Sequence, residues 1–175
     1  MYLGIAKNRE GFRELNAFLT KHSIDGIALP DIAPVFQHAF IIYRGLPKPI
    51  DQFLENEYVG IRPEELNGLY KSAMKKRQDK MVVFAPVVFL DEAGFRVHRL
   101  LRCVDLNIIM SKLTVDDHAR SFAHFREPGE IEDRFQAYPE ILENTACLLG
   151  SCSIEMTSSY TNNRKSFTGD EIGDF

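Results

Sequence analysis

Residues 81–110 run MVVFAPVVFLDEAGFRVHRLLRCVDLNIIM. Met81 to Leu90 is β-branched and aromatic, Asp91-Glu92-Ala93-Gly94 carries the residues of a four-residue turn, and Phe95 to Met110 returns. The stretch therefore predicts a long antiparallel hairpin. Pro86 has no N–H to give to a ladder, which places it on an edge or at a bulge. Along the returning strand, alternation puts Phe95, Val97, Leu101 and Cys103 on one face. Arg96, His98, Leu100 and Arg102 share the other.

Upstream, Pro63 suits a first helical position, and a helix is expected to run to about residue 78 with Leu66, Leu69, Tyr70, Ala73 and Met74 on one side. Glu64 and Glu65 lie at its start and Lys75, Lys76 and Arg77 at its end, the order the helix dipole favours. Further toward the N-terminus, residues 2–6 form a short apolar strand. Asn8 caps a helix carrying Phe12, Leu15, Phe18 and Leu19, and Ser23 to Gly26 ends it. Ile27 to Leu29 and Ala39 to Tyr43 read as two more strands, the latter closed by Gly45, Pro47 and Pro49.

Downstream, a short helix is expected over residues 116–125. A longer one spans Glu130 to Leu149, interrupted or restarted at Pro139 and stopped by Gly150. Ser151 to Tyr160 alternates as a last strand, followed by a polar stretch. Helices and hairpins intermixed in this order predict a single α+β domain over residues 1–160 with a mainly antiparallel sheet, and a flexible acidic tail over 161–175.

The composition agrees with one globular domain. Of 175 residues, 45% are hydrophobic and 26% charged, which excludes disorder for most of the chain. At this length folding buries roughly 70% of the unfolded chain's surface, enough for a core without staples. The net charge of −4 is too mild to imply an acidic or basic partner. Three of the acids, Asp170, Glu171 and Asp174, fall in the last six residues, so the body is close to neutral. Cys103, Cys147 and Cys152 are odd in number and lack framework spacing, which favours a reducing compartment over a secreted disulfide scaffold. No apolar run reaches signal-peptide or membrane-span length, so a cytoplasmic protein without a membrane partner is expected.

The face with Arg96, His98 and Arg102 is the first candidate for function. Together with Lys71, Lys75, Lys76, Arg77 and Lys80 it has the makings of a phosphate-tracking surface, to which neighbouring Phe and Tyr would add base-stacking platforms. The same residues equally make an ordinary solvated sheet face beside a dipole-complementing helix end.

The second candidate is the C-terminus, Gly169-Asp170-Glu171-Ile172-Gly173-Asp174-Phe175. Clustered carboxylates before a terminal Phe resemble the tip of bacterial and phage single-stranded DNA-binding proteins. The resemblance covers the last six residues. It implies that Phe175 anchors in an apolar pocket of a protein partner, Ile172 adds a second apolar contact, and Asp170, Glu171 and Asp174 steer toward a basic rim. That family has Pro before its final Phe, where this chain has Asp174, and its oligonucleotide-binding barrel does not match the N-terminal pattern here.

Phe40-Ile41-Ile42-Tyr43-Arg44-Gly45-Leu46 resembles the first motif of ADP-ribosyltransferases, which implies a strand-end Arg44 supporting an NAD site. The family's Ser-Thr-Ser strand finds a rough counterpart in Met156-Thr157-Ser158-Ser159, and its catalytic Glu only in Glu171, close behind. No phosphate loop, nucleophile elbow or H-E-x-x-H motif is present. His98 with Cys103, and Cys147 with Cys152, lack zinc spacing. His118 and His124, at (i, i+6), fall on different helical faces.

The leading expectation is a non-enzymatic, single-stranded nucleic-acid-binding accessory protein of replication or recombination, needing no cofactor or metal and docking a protein through its tip. Two alternatives stand beside it: a protein-interaction or inhibitor protein without nucleic-acid affinity, and an ADP-ribosyl transfer enzyme using Arg44. A homo-oligomer is left open, because an exposed sheet edge and a dimer edge read alike.

Overall fold

The computed structural model describes residues 1–70 and 73–155. Within them lie strands β1 (Tyr2–Ala6), β2 (Ala39–Tyr43), β3 (Glu57–Ile61) and β4 (Met81–Val83), and helices α1 (Arg9–Asp25), α2 (Leu66–Tyr70), α3 (Glu92–Leu106), α4 (Pro128–Arg134) and α5 (Pro139–Gly150). The expected α+β class is what the structure shows. Its sheet runs in the order β1-β2-β3-β4 and, against the expectation of a mainly antiparallel sheet, is antiparallel only in part. β1 pairs antiparallel with β2, from Tyr2 opposite Tyr43 to Ala6 opposite Ala39, while β2–β3 and β3–β4 are parallel.

The parallel part explains the composition of β2. A strand enclosed on both faces has no polar side to show, and Ala39, Ile41, Ile42 and Tyr43 are all buried. β3 was not expected from the sequence: in Glu57-Tyr58-Val59-Gly60-Ile61 an acid and a glycine interrupt the strand-favouring Tyr, Val and Ile, and the segment does not alternate. Gly60 is nonetheless well placed, since a Cβ there would lie 2.8 Å from the Cβ of Phe84. That close approach brings the chain leaving β4 against the end of β3.

One face of the sheet carries the main core, where Ile41, Tyr43, Val59, Ile61 and Met81 meet Phe36, Phe53, Phe135 and Ile141. α1 lies on this side, with Leu15 and Phe18 packed against the cluster. Its ends follow the sequence. Asn8 Oδ1 accepts from Gly11 N–H at 3.0 Å, and Gly26, at φ 63°, closes it. The opposite face holds a smaller cluster of Ile42, Val82 and Leu148. α5 covers the free edge of β4: Thr145 Oγ1 accepts from Val83 N–H (2.8 Å), and Asn144 Nδ2 donates to the carbonyls of Gln78 (2.8 Å) and Met81 (3.1 Å). Edge groups that would otherwise invite another strand are thereby filled.

Several local expectations are corrected. The hairpin over 81–110 does not form. β4 ends at Val83, Pro86 lies in a connecting segment, Phe89 makes only an isolated bridge with His124, and the returning segment is the helix α3. Asp91, expected in a turn, is the N-cap of α3, with its Oδ1 accepting from Gly94 N–H at 2.7 Å, and Asn107 at φ 53° ends the helix. A helix satisfies its own backbone, whereas a strand of that length would need a partner that Pro86 interrupts.

The helix expected from Pro63 to residue 78 is broken into a 3-10 turn (Pro63–Glu65), α2, and a second 3-10 stretch (Ala73–Lys80) with a non-helical backbone at Arg77. Residues 116–125 form turns rather than a helix, and 27–29 form no strand. The break at Pro139 is as expected, since α4 and α5 lie on either side of it and α5 ends at Gly150. Residues 151–155 make no strand. The rest of that expected strand, and the expected tail over 161–175, lie outside the described residues.

Candidate binding surfaces

Because α3 is a helix, the basic face read along a strand is not formed. Residues 96 and 98 point about 160° apart around the helix, so Arg96, His98 and Arg102 do not line up. Arg96 is exposed and pairs with Glu92 at 3.0 Å, one turn away. His98 turns inward: its Nε2 accepts from Ala119 N–H at 3.0 Å and its ring packs 5.8 Å from that of Phe89. Arg102 donates through Nε to the carbonyl of Asp117 (2.6 Å) and pairs with Asp105.

Lys75, Lys76 and Arg77 sit on a different element, the 3-10 stretch entering β4, where Arg77 pairs with Asp51 and Asp79. Lys80, also on that stretch, donates to the carbonyl of Leu54 at 2.7 Å. Lys71 lies outside the described residues, as do Asp170, Glu171, Ile172, Asp174 and Phe175 of the tip. Met156-Thr157-Ser158-Ser159 also falls outside them.

What α3 does present is apolar. Val97, Leu100, Leu101 and Val104, at i, i+3, i+4 and i+7, fall on one helical face and are between 53% and 78% exposed. The opposite side carries Phe95, His98, Arg102 and the buried Cys103, which meet Phe89, His118, the 117–119 turn and Met110. The usual amphipathic arrangement, with aliphatic residues in, is not followed, since the aliphatic residues of α3 face outward while an aromatic ring, a thiol and two polar side chains face inward. Leu90 just before the helix and Ile109 just after it are exposed as well.

A second arrangement gathers at the carboxyl ends of the parallel strands. Arg44 follows β2, Arg62 follows β3 and Phe84 follows β4. Arg44 donates to the Gly60 carbonyl and to Glu65, both at 3.0 Å, and its guanidinium lies 4.6 Å from the Phe84 ring centre. Arg62 lies between two rings, 5.1 Å from Phe122 and 5.8 Å from Phe84. Among the described residues its guanidinium has no carboxylate within ion-pair distance, and its buried Nε has no hydrogen-bond partner. Burial, and then the neighbouring Arg44 charge, hold its pKa below the ordinary arginine value, with Glu65 and Glu64 opposing. Its neighbour Arg126 is neutralised by Glu64 at 2.5 Å. Sequence reading named Arg44 and missed Arg62, although both are arginines directly after a strand.

The network around Glu57 holds this strand-end region in place. Glu57 is only 2% exposed, yet it accepts from Tyr43 Oη (2.9 Å) and Leu54 N–H (2.7 Å) and pairs with Lys48 at 2.6 Å. Burial disfavours its charge, but the hydrogen bonds from Lys48, Leu54 and Tyr43 outweigh it, so its pKa lies below the usual glutamate value. Tyr43 is pushed upward, by burial first and by Glu57 second.

Among the described residues no group of three His, Cys, Asp or Glu side chains is placed to hold a metal ion, and no helix is long and apolar enough to cross a membrane. The sequence matches no protein-family model, and none of the curated proteins it was compared with.

Proposed function

We propose that this chain is a non-catalytic protein-interaction protein that pairs with a second copy of itself through α3. The observation that carries the reading is the exposed stripe Val97, Leu100, Leu101 and Val104. Turned over end to end about the point between Leu100 and Leu101, the stripe meets itself. Val97 of one copy falls opposite Val104 of the other, and Leu100 opposite Leu101. Such self-complementarity is what a two-fold interface requires. A contiguous apolar surface of this kind on an exposed helix face marks a contact face. In this reading the acidic tip, Asp170 to Phe175, docks a further protein, as its resemblance implies.

The test is co-expression of two differently tagged copies. Purification on one tag brings down the other for the unaltered chain, and Leu101→Glu abolishes the co-purification while leaving the circular-dichroism spectrum unchanged. Failure of the unaltered copies to co-purify overturns the reading.

Single-stranded nucleic-acid binding is a second reading, favoured by one observation. Arg62, without a carboxylate partner among the described residues and stacked between Phe84 and Phe122, combines the cation and the aromatic rings that such ligands use. Contact would then centre on Arg62 and Arg44 rather than on a basic strand face. Binding of a labelled single strand should weaken steeply with salt and be lost in Arg62→Gln. Binding by this variant equal to that of the unaltered chain removes this reading.

A further inference from the structure

The inner side of α3 is seated on the 117–119 turn around one residue. Ala119 N–H donates to Nε2 of His98 (3.0 Å), and the Ala119 carbonyl accepts from Nδ1–H of His118 (2.6 Å). Two imidazoles thus hold both polar groups of one residue's backbone, in opposite roles. A ring nitrogen accepts only through a lone pair, so His98 is neutral with its proton on Nδ1, whereas the His118 bond survives a positive charge. Imidazole is the side chain that changes charge between about pH 5 and 8. A second proton on His98 sets a ring N–H against the Ala119 N–H, and an acceptor becomes a donor facing a donor.

The neighbouring groups favour the neutral ring. On α3 itself, Arg102 lies one turn on and donates to the Asp117 carbonyl at 2.6 Å, and Arg99 lies against the Phe95 ring. The turn contributes His118 and Asp117, whose carboxylate already accepts from Thr114 N–H and Oγ1, both at 2.7 Å. The segment before α3 brings the Phe89 ring, 5.8 Å from that of His98, with His124 bridged to Phe89 and Asp91 engaged in capping the helix. We propose, resting on the pairing of two copies through α3, that His98 is a pH switch for that pairing. The neutral ring seats the helix with Val97, Leu100, Leu101 and Val104 outward, and protonation unseats it. The seated form holds one proton fewer than the released form, so it loses ground as pH falls. Only the seated form presents the stripe, and the apparent dissociation constant rises as the seated fraction shrinks.

Sedimentation equilibrium of the full chain at about pH 7.5 and about pH 5.5, either side of the histidine range, tests the switch. The dissociation constant is expected to rise by about tenfold or more on acidification. His98→Gln, whose amide oxygen accepts but does not titrate, should associate equally at both pH values, while His118→Gln should keep the acid dependence. A second measurement does not need the dimer: in Leu101→Glu, the backbone amide NMR signal of Ala119 should move in step with titration of the His98 ring. A chain that is monomeric at both pH values overturns the dimer reading, and the Ala119 signal then decides the switch alone. The switch is overturned by an Ala119 signal that does not follow the His98 ring, or by acid dependence that persists in His98→Gln.

Discussion

Glu57 is the residue on which the strand-end region depends most. A buried carboxylate with three donors is stable only while all three are present, and removing one partner of a buried pair typically costs about 3–5 kcal/mol. Lys48→Met is therefore expected to lower the urea unfolding free energy by about that amount. Because the folded state depresses the Glu57 pKa, its contribution is complete above the unfolded glutamate value of about 4.3. It is lost as pH falls through the lower folded value. Glu57→Gln should accordingly flatten the acid limb of a stability-versus-pH profile below that point. An unchanged acid limb would show that Glu57 is not charged in the folded protein. Nothing in the sequence announces this residue, because Glu57 is a polar side chain in a strand that polarity itself conceals.

Elements were readable where local chemistry fixes them. Asn8 and Gly26 bracket α1, Pro139 and Gly150 bracket α5, and β2 is an unbroken apolar run. α3 was misread because Val and Phe around residues 87–97 favour strand while the spacing of Phe95, His98, Arg102 and Cys103 fits a helix, and the period is the stronger signal. The adjacent Leu100 and Leu101 already break strict alternation. Asp91, a typical turn residue by type, is the cap. Asp91→Ala should destabilise the protein by about 1 kcal/mol, read as a shift in denaturation midpoint, and Asp91→Ser should restore most of it. At the other end of the fold, Thr145→Val removes the acceptor for Val83 N–H. The expected cost is about 1–3 kcal/mol for the buried donor left unpaired, with faster amide exchange at Val83.

At the scale of the molecule, the class was legible and the sheet was not. β3 pairs in parallel with β2 and β4 with β3, pairings between segments distant in sequence that no local pattern encodes. The same failure decided the candidate site. A basic face depends on the period of one segment, and when that segment is helical its cations are divided between a surface ion pair and inward contacts to the 117–119 turn. The aliphatic residues between them form the outer face. Arg62 could have been found by noting that it follows a strand as Arg44 does, but that required knowing that β3 exists.

The central claim is that this outer face of α3 joins two copies, and sedimentation equilibrium over a concentration series tests it most directly. A helix pair lies at the small end of stable interfaces, so the predicted result is reversible monomer–dimer association in the micromolar range. Apolar contact should make it insensitive to added sodium chloride, and Leu101→Glu should shift it to monomer. A chain that stays monomeric at every concentration, or a dimer that survives Leu101→Glu, contradicts the account.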